Sequence, residues 1–347
     1  MKQTGFTLIE VMISLFIGGL ILGGVMFTYI GMKVTTKDTM AIGELQESGR
    51  LAINIMQRDI EQVGFWGTFY DDSFTSANTV VSSAVKAPDC REGLNNGSFP
   101  DLNSSSNFRS IYAKTAKSNN ELNCIRDAAK DSDILQLKFL QGDPQYNAAN
   151  NSNKTIDKVN YFVAEQENAM FVTGKYTPTN GNATIWPYSH HVYYISEQTY
   201  TVNNRSITVP ALMRKRLVAG SMNPEKAGSM NTEKAGSMNT ETIMEGIENM
   251  RFMFGLDTTH DSRVDTYKSI ADMTPTDWEN RKGILTVQLF LLVRTLQPDP
   301  GIKINNQKYI LGEGSGKREL TFNDNYRRTV FTTTIRLSNV GGNLWKI

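Results

Sequence analysis

A charge-free apolar run near the N-terminus limits what this chain can become more than any other feature. Residues 11–27 carry no charge, and apolar character continues with few interruptions to Met32. At about 1.5 Å of rise per residue, a helix over this stretch is about 40 Å long, enough to span a bilayer. One carboxylate, Glu10, stands at its start. A charge in hydrocarbon is costly, so Glu10 needs both a function and a partner. The chain as a whole is that of an ordinary soluble body with one departure: 39% of its 347 residues are hydrophobic, mean hydropathy is −0.35, and the formal net charge is +1. That balance supplies no global drive toward nucleic acid or an anionic membrane. The length allows one large domain or two small ones. Two cysteines exclude a disulfide-dense scaffold, while one pair fits an exported domain that needs a single staple.

A secretory signal peptide places its small-residue cleavage site after the apolar region. Here the small residue, Gly5, comes before it, behind a short polar leader with one lysine. Cleavage after Gly5 leaves the helix on the mature chain, with Phe6 first and Glu10 fifth. The string Gly5-Phe6-Thr7-Leu8-Ile9-Glu10 resembles the type III signal of type IV pilins and pseudopilins. The resemblance implies cleavage between Gly5 and Phe6 by a prepilin peptidase, followed by N-methylation of the Phe6 amine. It also implies an assembly role for Glu10, beside the cationic N-terminus of a neighbouring subunit. Two charges that are each costly in lipid offset one another when paired.

Beyond Met32 the sequence turns polar, but a helical stripe persists. Leu45, Ala52, Ile55, Met56, Ile60 and Val63 keep to one face, with Glu44, Gln46, Glu47, Arg50, Arg58, Asp59 and Glu61 suited to a solvated one. Gly64 stands at a plausible position to end the helix. The expected organisation is a leader at 1–5, a transmembrane helix at 6–32, an amphipathic half of the same helix at 33–66, and a globular periplasmic head at 67–347. Leu45-Gln46-Glu47-Ser48-Gly49-Arg50, Arg58-Asp59-Ile60 and Gly64-Phe65-Trp66-Gly67 are similar to the PilW family of minor pilins. Trp66 reads as a core residue.

From about residue 130 the pattern changes to short runs rich in β-branched and aromatic residues. Strands are expected at 134–140, 159–164, 170–173, 192–195, 206–217, 243–254, 283–296 and 327–337. A long helix followed by many strands is α+β, here a type IV pilin-like fold with the helix packed on an antiparallel sheet. The C-terminal third carries a second resemblance to PilW: Glu245-Gly246-Ile247-Glu248-Asn249-Met250, Phe254-Gly255, Leu291-Leu292-Val293-Arg294, Tyr326-Arg327-Arg328 and Phe331-Thr332-Thr333. Residues 219–242 read AGSMNPEK, AGSMNTEK, AGSMNTET, three copies of an eight-residue unit. Three short polar units cannot stack a buried core, so a solvated loop is expected there.

Catalytic and binding motifs are sparse. Gly312-Glu-Gly-Ser-Gly-Lys317 lacks the first glycine and the final Ser or Thr of a phosphate loop, with Leu311 and Arg318 in those places, and is expected to join two strands. His190 and His191 have no partner at metal-ligand spacing and are expected in a surface turn. Asp257, Asp261 and Asp265, with Thr259, follow the spacing of a calcium loop, but Ser262 replaces its glycine and Lys268 its bidentate acid, leaving a weak candidate. Arg214-Lys215-Arg216 and Arg327-Arg328 lie in expected strands, where alternation divides them between faces, so direct nucleic-acid contact is not expected. Cys90 and Cys124 flank a stretch rich in Asn, Ser and Gly and are expected to form a disulfide. No cofactor, no metal and no enzymatic activity are expected.

The resemblance implies a minor type IV pilin that helps initiate pilus assembly, in support of twitching motility, adhesion or DNA uptake. Its implied partners are a prepilin peptidase, the inner membrane, other minor pilins, the major pilin and a tip adhesin. It would start as a single-pass inner-membrane protein with its head in the periplasm and finish in the pilus at the cell surface. The alternatives are a J-type pseudopilin of a type II secretion system and a DNA- or adhesin-binding tip module.

Overall fold

The computed structural model describes residues 7–83, 89–147, 152–202, 205–218, 237–299, 301 and 305–340. Its first element, α1 (Leu8–Glu61), is a helix of 54 residues. Strands β1 (Thr79–Val81), β2 (Ile111–Thr115), β3 (Asp133–Leu140), β4 (Tyr146–Asn147), β5 (Ser152–Asn153), β6 (Asn160–Ala164), β7 (Ala169–Thr173), β8 (Thr184–Val202), β9 (Arg205–Val218) and β10 (Ser237–Glu245) follow. After them come β11 (Ile247–Leu256), β12 (Thr266–Ser269), α2 (Pro275–Glu279), β13 (Ile284–Arg294), β14 (Gln307–Leu311), β15 (Arg318–Phe322) and β16 (Arg328–Arg336). The chain divides into two compact units, residues 1–47 and residues 48–347. The first is helix. In the second, the last turns of α1 lead into the β-rich head.

Two main sheets build the head. The larger runs β1-β7-β6-β8-β3-β2, with β4 and β9 also on β8, β5 on β4, and β10 on β9. The smaller has the order β12-β11-β13-β16, and β14 pairs with β15 in a separate ribbon. Among the described residues every ladder but the parallel β1–β7 pair is antiparallel. The fold is therefore α+β, as the sequence pattern implies.

Strand β8 organises the larger sheet. Its start pairs with β6, its middle with β3, and residues 191–202 with β9. Successive side chains on a strand point to opposite faces. His190 and His191 fall in the middle of β8 and are both buried. The surface turn expected for them is wrong, because their strand is covered on both faces. On one face His190 meets Ser98 of the 89–108 segment, and on the other His191 meets Asp59 of the helix.

Three other expectations need correction. Helix α1 ends at Glu61 and not at 66, and the turn that follows passes through Gly64, whose φ of +93° an L side chain rarely adopts. The run 243–254 is not one strand. Gly246, at φ +83°, turns a corner between β10 in the larger sheet and β11 in the smaller, and a Cβ there would lie 2.8 Å from the Arg294 carbonyl oxygen. The repeat is not all loop, because residues 237–242 form part of β10, in register with β9 from Val218 to Met213. Its other residues, 219–236, lie outside those described. Strands β1 and β2, before residue 130, were not foreseen.

The core gathers where the chain leaves the helix. Trp66, Phe69, Phe74, Phe108, Phe162, Phe171 and Tyr188 are buried together. Trp66 is edge-on to Phe74 and Phe162 at centroid distances of 5.0 and 5.1 Å, arrangements that aromatic quadrupoles favour. Ahead of this cluster Ala52, Met56 and Ile60 are buried on one helical face, as the expected stripe has them, and Val63 is buried in the turn that follows. At Gly49 a Cβ would meet the Phe331 ring at 2.5 Å, so only glycine lets the helix approach β16 this closely. Cys90 and Cys124 form a disulfide across 34 residues, tying the segment before β2 to the loop before β3. In the chain-entropy account such a link contributes about 3–4 kcal/mol.

Candidate functional site

Gly5 and Phe6 lie outside the described residues, and the structure begins one residue later. Thr7 caps α1: its hydroxyl accepts from the Glu10 N–H at 3.4 Å, while Glu10 Oε2 accepts from the Thr7 N–H at 3.0 Å and hydroxyl at 2.9 Å. Thr7-Leu8-Ile9-Glu10 is thus a capping box, which satisfies backbone donors at the helix start. The sequence reading missed this, although T-x-x-E before an apolar run is its usual signature. The hydrogen bonds of the Glu10 carboxylate all come from Thr7, and the residue is exposed. Beyond it, none of the most apolar window of α1 is buried within the chain, and Leu15, Phe16, Leu20, Leu22 and Phe27 are all exposed. Gly18, Gly19, Gly23, Gly24 and Gly31 have open space where a Cβ would be.

A second carboxylate of the helix behaves in the opposite way. Asp59, expected on the solvated face, is buried. Its Oδ2 accepts from the Tyr193 hydroxyl at 2.5 Å, contacts His191 Nδ1 and lies 3.6 Å from Arg214 Nη1. The three partners alternate on β8 or sit opposite it, since Tyr193 pairs with Arg214 of β9 in register. Arg214 also donates from Nε to Glu241 of β10 at 2.6 Å. Burial, then the Asp59 charge, raises the Tyr193 hydroxyl pKa well above its ordinary value. The group joins the last helical turns of α1 to β8, β9 and β10 in a buried structural junction.

Ser98, His190 and Asp89 do come together, a grouping not readable from the sequence. Ser98 Oγ donates to Asp89 Oδ1 at 2.6 Å and lies 2.9 Å from His190 Nδ1. A hydroxyl has one proton, and here it goes to the carboxylate. His190 then donates to Oγ, the reverse of a nucleophile activated by a histidine base. Ser98 and His190 are both fully buried, and burial holds the His190 pKa well below its usual value. Beside them Lys138 donates to the Asn96 and Arg109 carbonyl oxygens at 3.0 and 2.9 Å, its pKa pushed down by burial to about 7. This cluster braces the loop segment 89–108 against the larger sheet.

The remaining candidates are structural as well. Asp257 accepts from the N–H groups of Asp261 and Ser262, and Asp265 from those of Thr258 and Thr259. The calcium candidate is therefore a turn whose acids are used by its own backbone. Among the described residues no three His, Cys, Asp or Glu side chains are grouped to hold a metal. The 312–317 segment joins β14 to β15. The basic residues are paired: Arg216 lies 4.0 Å from Glu241, Lys215 Nζ donates to Thr240 Oγ1 at 2.6 Å, and Arg327 bonds Asp299 at 3.0 Å. Arg328 reaches Glu248 at 2.5 Å and Asp324 at 2.7 Å. Burial opposes the Arg328 charge, but these two carboxylates outweigh it and raise its pKa.

Comparison with known proteins fits this geometry. Residues 1–26 match the prokaryotic N-terminal methylation motif, and residues 192–339 match the family model described as Type IV Pilus-assembly protein W. No curated protein and no solved structure matches the chain. A prepilin-type terminus on a long exposed apolar helix, followed by an α+β head, defines a type IV pilin-like protein, anchored in the inner membrane and destined for the pilus. More narrowly, the chain is a minor pilin of the type IV pilus, with a PilW-type region from the middle of β8 to just past β16. Such a terminus implies processing by a prepilin peptidase and contact with other pilins.

Proposed function

We propose that this minor pilin helps to initiate pilus assembly, within a priming complex of minor pilins at the filament tip. The observation that carries the proposal is a helix whose apolar window is entirely uncovered by its own chain, joined to a head whose charges are largely satisfied internally. Such a chain is complete as a fold and incomplete as an assembly. Cleavage between Gly5 and Phe6, with methylation of the Phe6 amine, would release the helix for packing among other subunits. The Glu10 carboxylate would then exchange its partners on Thr7 for the amine of a neighbour, where pairing is worth more than in water. The head would contact other minor pilins.

Deletion of the gene, with pili counted and measured by electron microscopy, tests the priming role. Fewer pili of ordinary length are expected, because initiation and not elongation is impaired. Pili of normal number, or of normal number but reduced length, would contradict it. Mass spectrometry of the N-terminal peptide tests the processing: methylated Phe6 is expected, and an intact Met1 in assembled pili would overturn it.

A further inference from the structure

The head carries a cleft of about 560 Å³, lined by Asp72 of the segment after the helix, Asp257 and His260 of the β11–β12 loop, Glu279 at the end of α2, and Arg281 and Lys282 beyond it. Its acids are already occupied. Asp72 pairs with Lys282 at 2.6 Å, Glu279 with Arg109 at 2.8 Å, and the Asp257 carboxylate accepts from two backbone N–H groups. Arg281 differs. Its guanidinium lies over the rings of Phe74, Trp66 and Phe69 at 5.1, 5.7 and 5.8 Å. From Nη1 it donates to the Asp71 carbonyl oxygen, and no carboxylate among the described residues forms an ion pair with it. Arg281 lines the cleft, and none of its nitrogens is both buried and without a partner. His260, in a left-handed conformation on the same wall, is exposed and makes no side-chain hydrogen bond among the described residues.

A guanidinium held over aromatic rings, lining a cleft and using Nη1 on a backbone carbonyl, keeps further donors for recognition of an oxyanion. Burial lowers the Arg281 pKa, only partly opposed by Asp72 and Asp71, so an added anion would relieve an under-compensated cation. The cleft falls within the range of about 300–1,000 Å³ usual for sites that enclose larger groups, well beyond a free inorganic anion. We propose that this cleft receives a carboxylate side chain from an acidic segment of a partner protein, with Arg281 as the anchor and His260 as a second donor. Nothing in this proposal depends on the priming role, and failure of one leaves the other standing.

The test uses the full chain in detergent with a fluorescein-labelled hexaglutamate peptide, read by fluorescence anisotropy at low salt. Saturable binding is expected, with hexaglutamine inactive and inorganic phosphate competing only in large molar excess. Arg281→Gln should weaken binding about tenfold or more. Arg281→Lys should weaken it too, since the fork is lost, and His260→Ala by a smaller factor. Melting temperatures of the variants are measured in parallel. If Arg281→Gln disturbs the aromatic cluster, Arg281→Lys and His260→Ala decide the matter. The proposal is overturned by absence of binding, by equal binding of hexaglutamine, by affinity unchanged in the folded variants, or by phosphate competing as well as the peptide.

Discussion

Two carboxylates on one helix, 49 residues apart by their numbers Glu10 and Asp59, have opposite surroundings. Glu10 is exposed, and its carboxylate bonds only to Thr7 in its own first turn. Asp59 is buried and takes its partners from residues 132 and 134 positions away. A buried acid with converging donors is a folding device, because leaving any member unpaired is costly. An exposed acid at the head of an uncovered apolar helix contributes only a cap to its own chain, which is why a role in assembly is proposed for it. The same contrast separates the glycines. At Gly49 a Cβ would strike Phe331, whereas at Gly31 it would meet nothing.

The strongest way to break this contrast is Asp59→Ala. It leaves His191, Tyr193 and Arg214 without their shared acceptor and should cost about 3–5 kcal/mol, the range for breaking a buried pair. Thermal or denaturant unfolding measures it, and a loss under 1 kcal/mol would mean that the junction is incidental. Next in size is the disulfide. Cys90→Ser with Cys124→Ser should destabilise the head by about 3–4 kcal/mol while leaving membrane insertion unchanged. Native protein with two titratable thiols would remove that expectation.

The smallest of these effects is the most discriminating. Gly49→Ala should destabilise by about 1–3 kcal/mol through overpacking against Phe331. Gly31→Ala should leave stability unchanged or raise it by about 0.5–1 kcal/mol, the usual helical preference for alanine. Equal effects at the two positions would erase the distinction between a helix face packed by its own chain and one left for others.

These expectations also mark where the sequence was legible. The apolar run, the helical stripe through Ala52, Met56 and Ile60, and most strands follow from local periodicity, which one chain segment displays by itself. The prepilin signature is equally local. Asp59, His190 and His191 were misread because burial depends on what comes from far along the chain. A charged residue at the edge of an amphipathic stripe looks solvated until a strand supplies Tyr193 and Arg214. Two adjacent histidines look like a turn until β8 is found to be covered on both faces. Gly246 has a local cue, but which sheet each flanking strand joins is decided by Pro210 and Arg294, whose backbones bond to it. The repeat shows the converse limit: its last six residues lose their loop character only because β9 offers a ladder.

The central claim is that Glu10 serves assembly through its charge and not through its cap. Glu10→Gln separates the two, because glutamine retains the capping-box geometry with Thr7 and loses the charge. Glu10→Ala loses both, at a cost of about 0.5–2 kcal/mol to the helix start. The measurement is pilus number per cell, beside the membrane abundance of each variant, with the chromosomal copy replaced. The account predicts wild-type abundance for both variants and a reduced pilus number, as low in Glu10→Gln as in Glu10→Ala. Wild-type piliation in Glu10→Gln at wild-type abundance would contradict it and leave Glu10 as a helix cap alone.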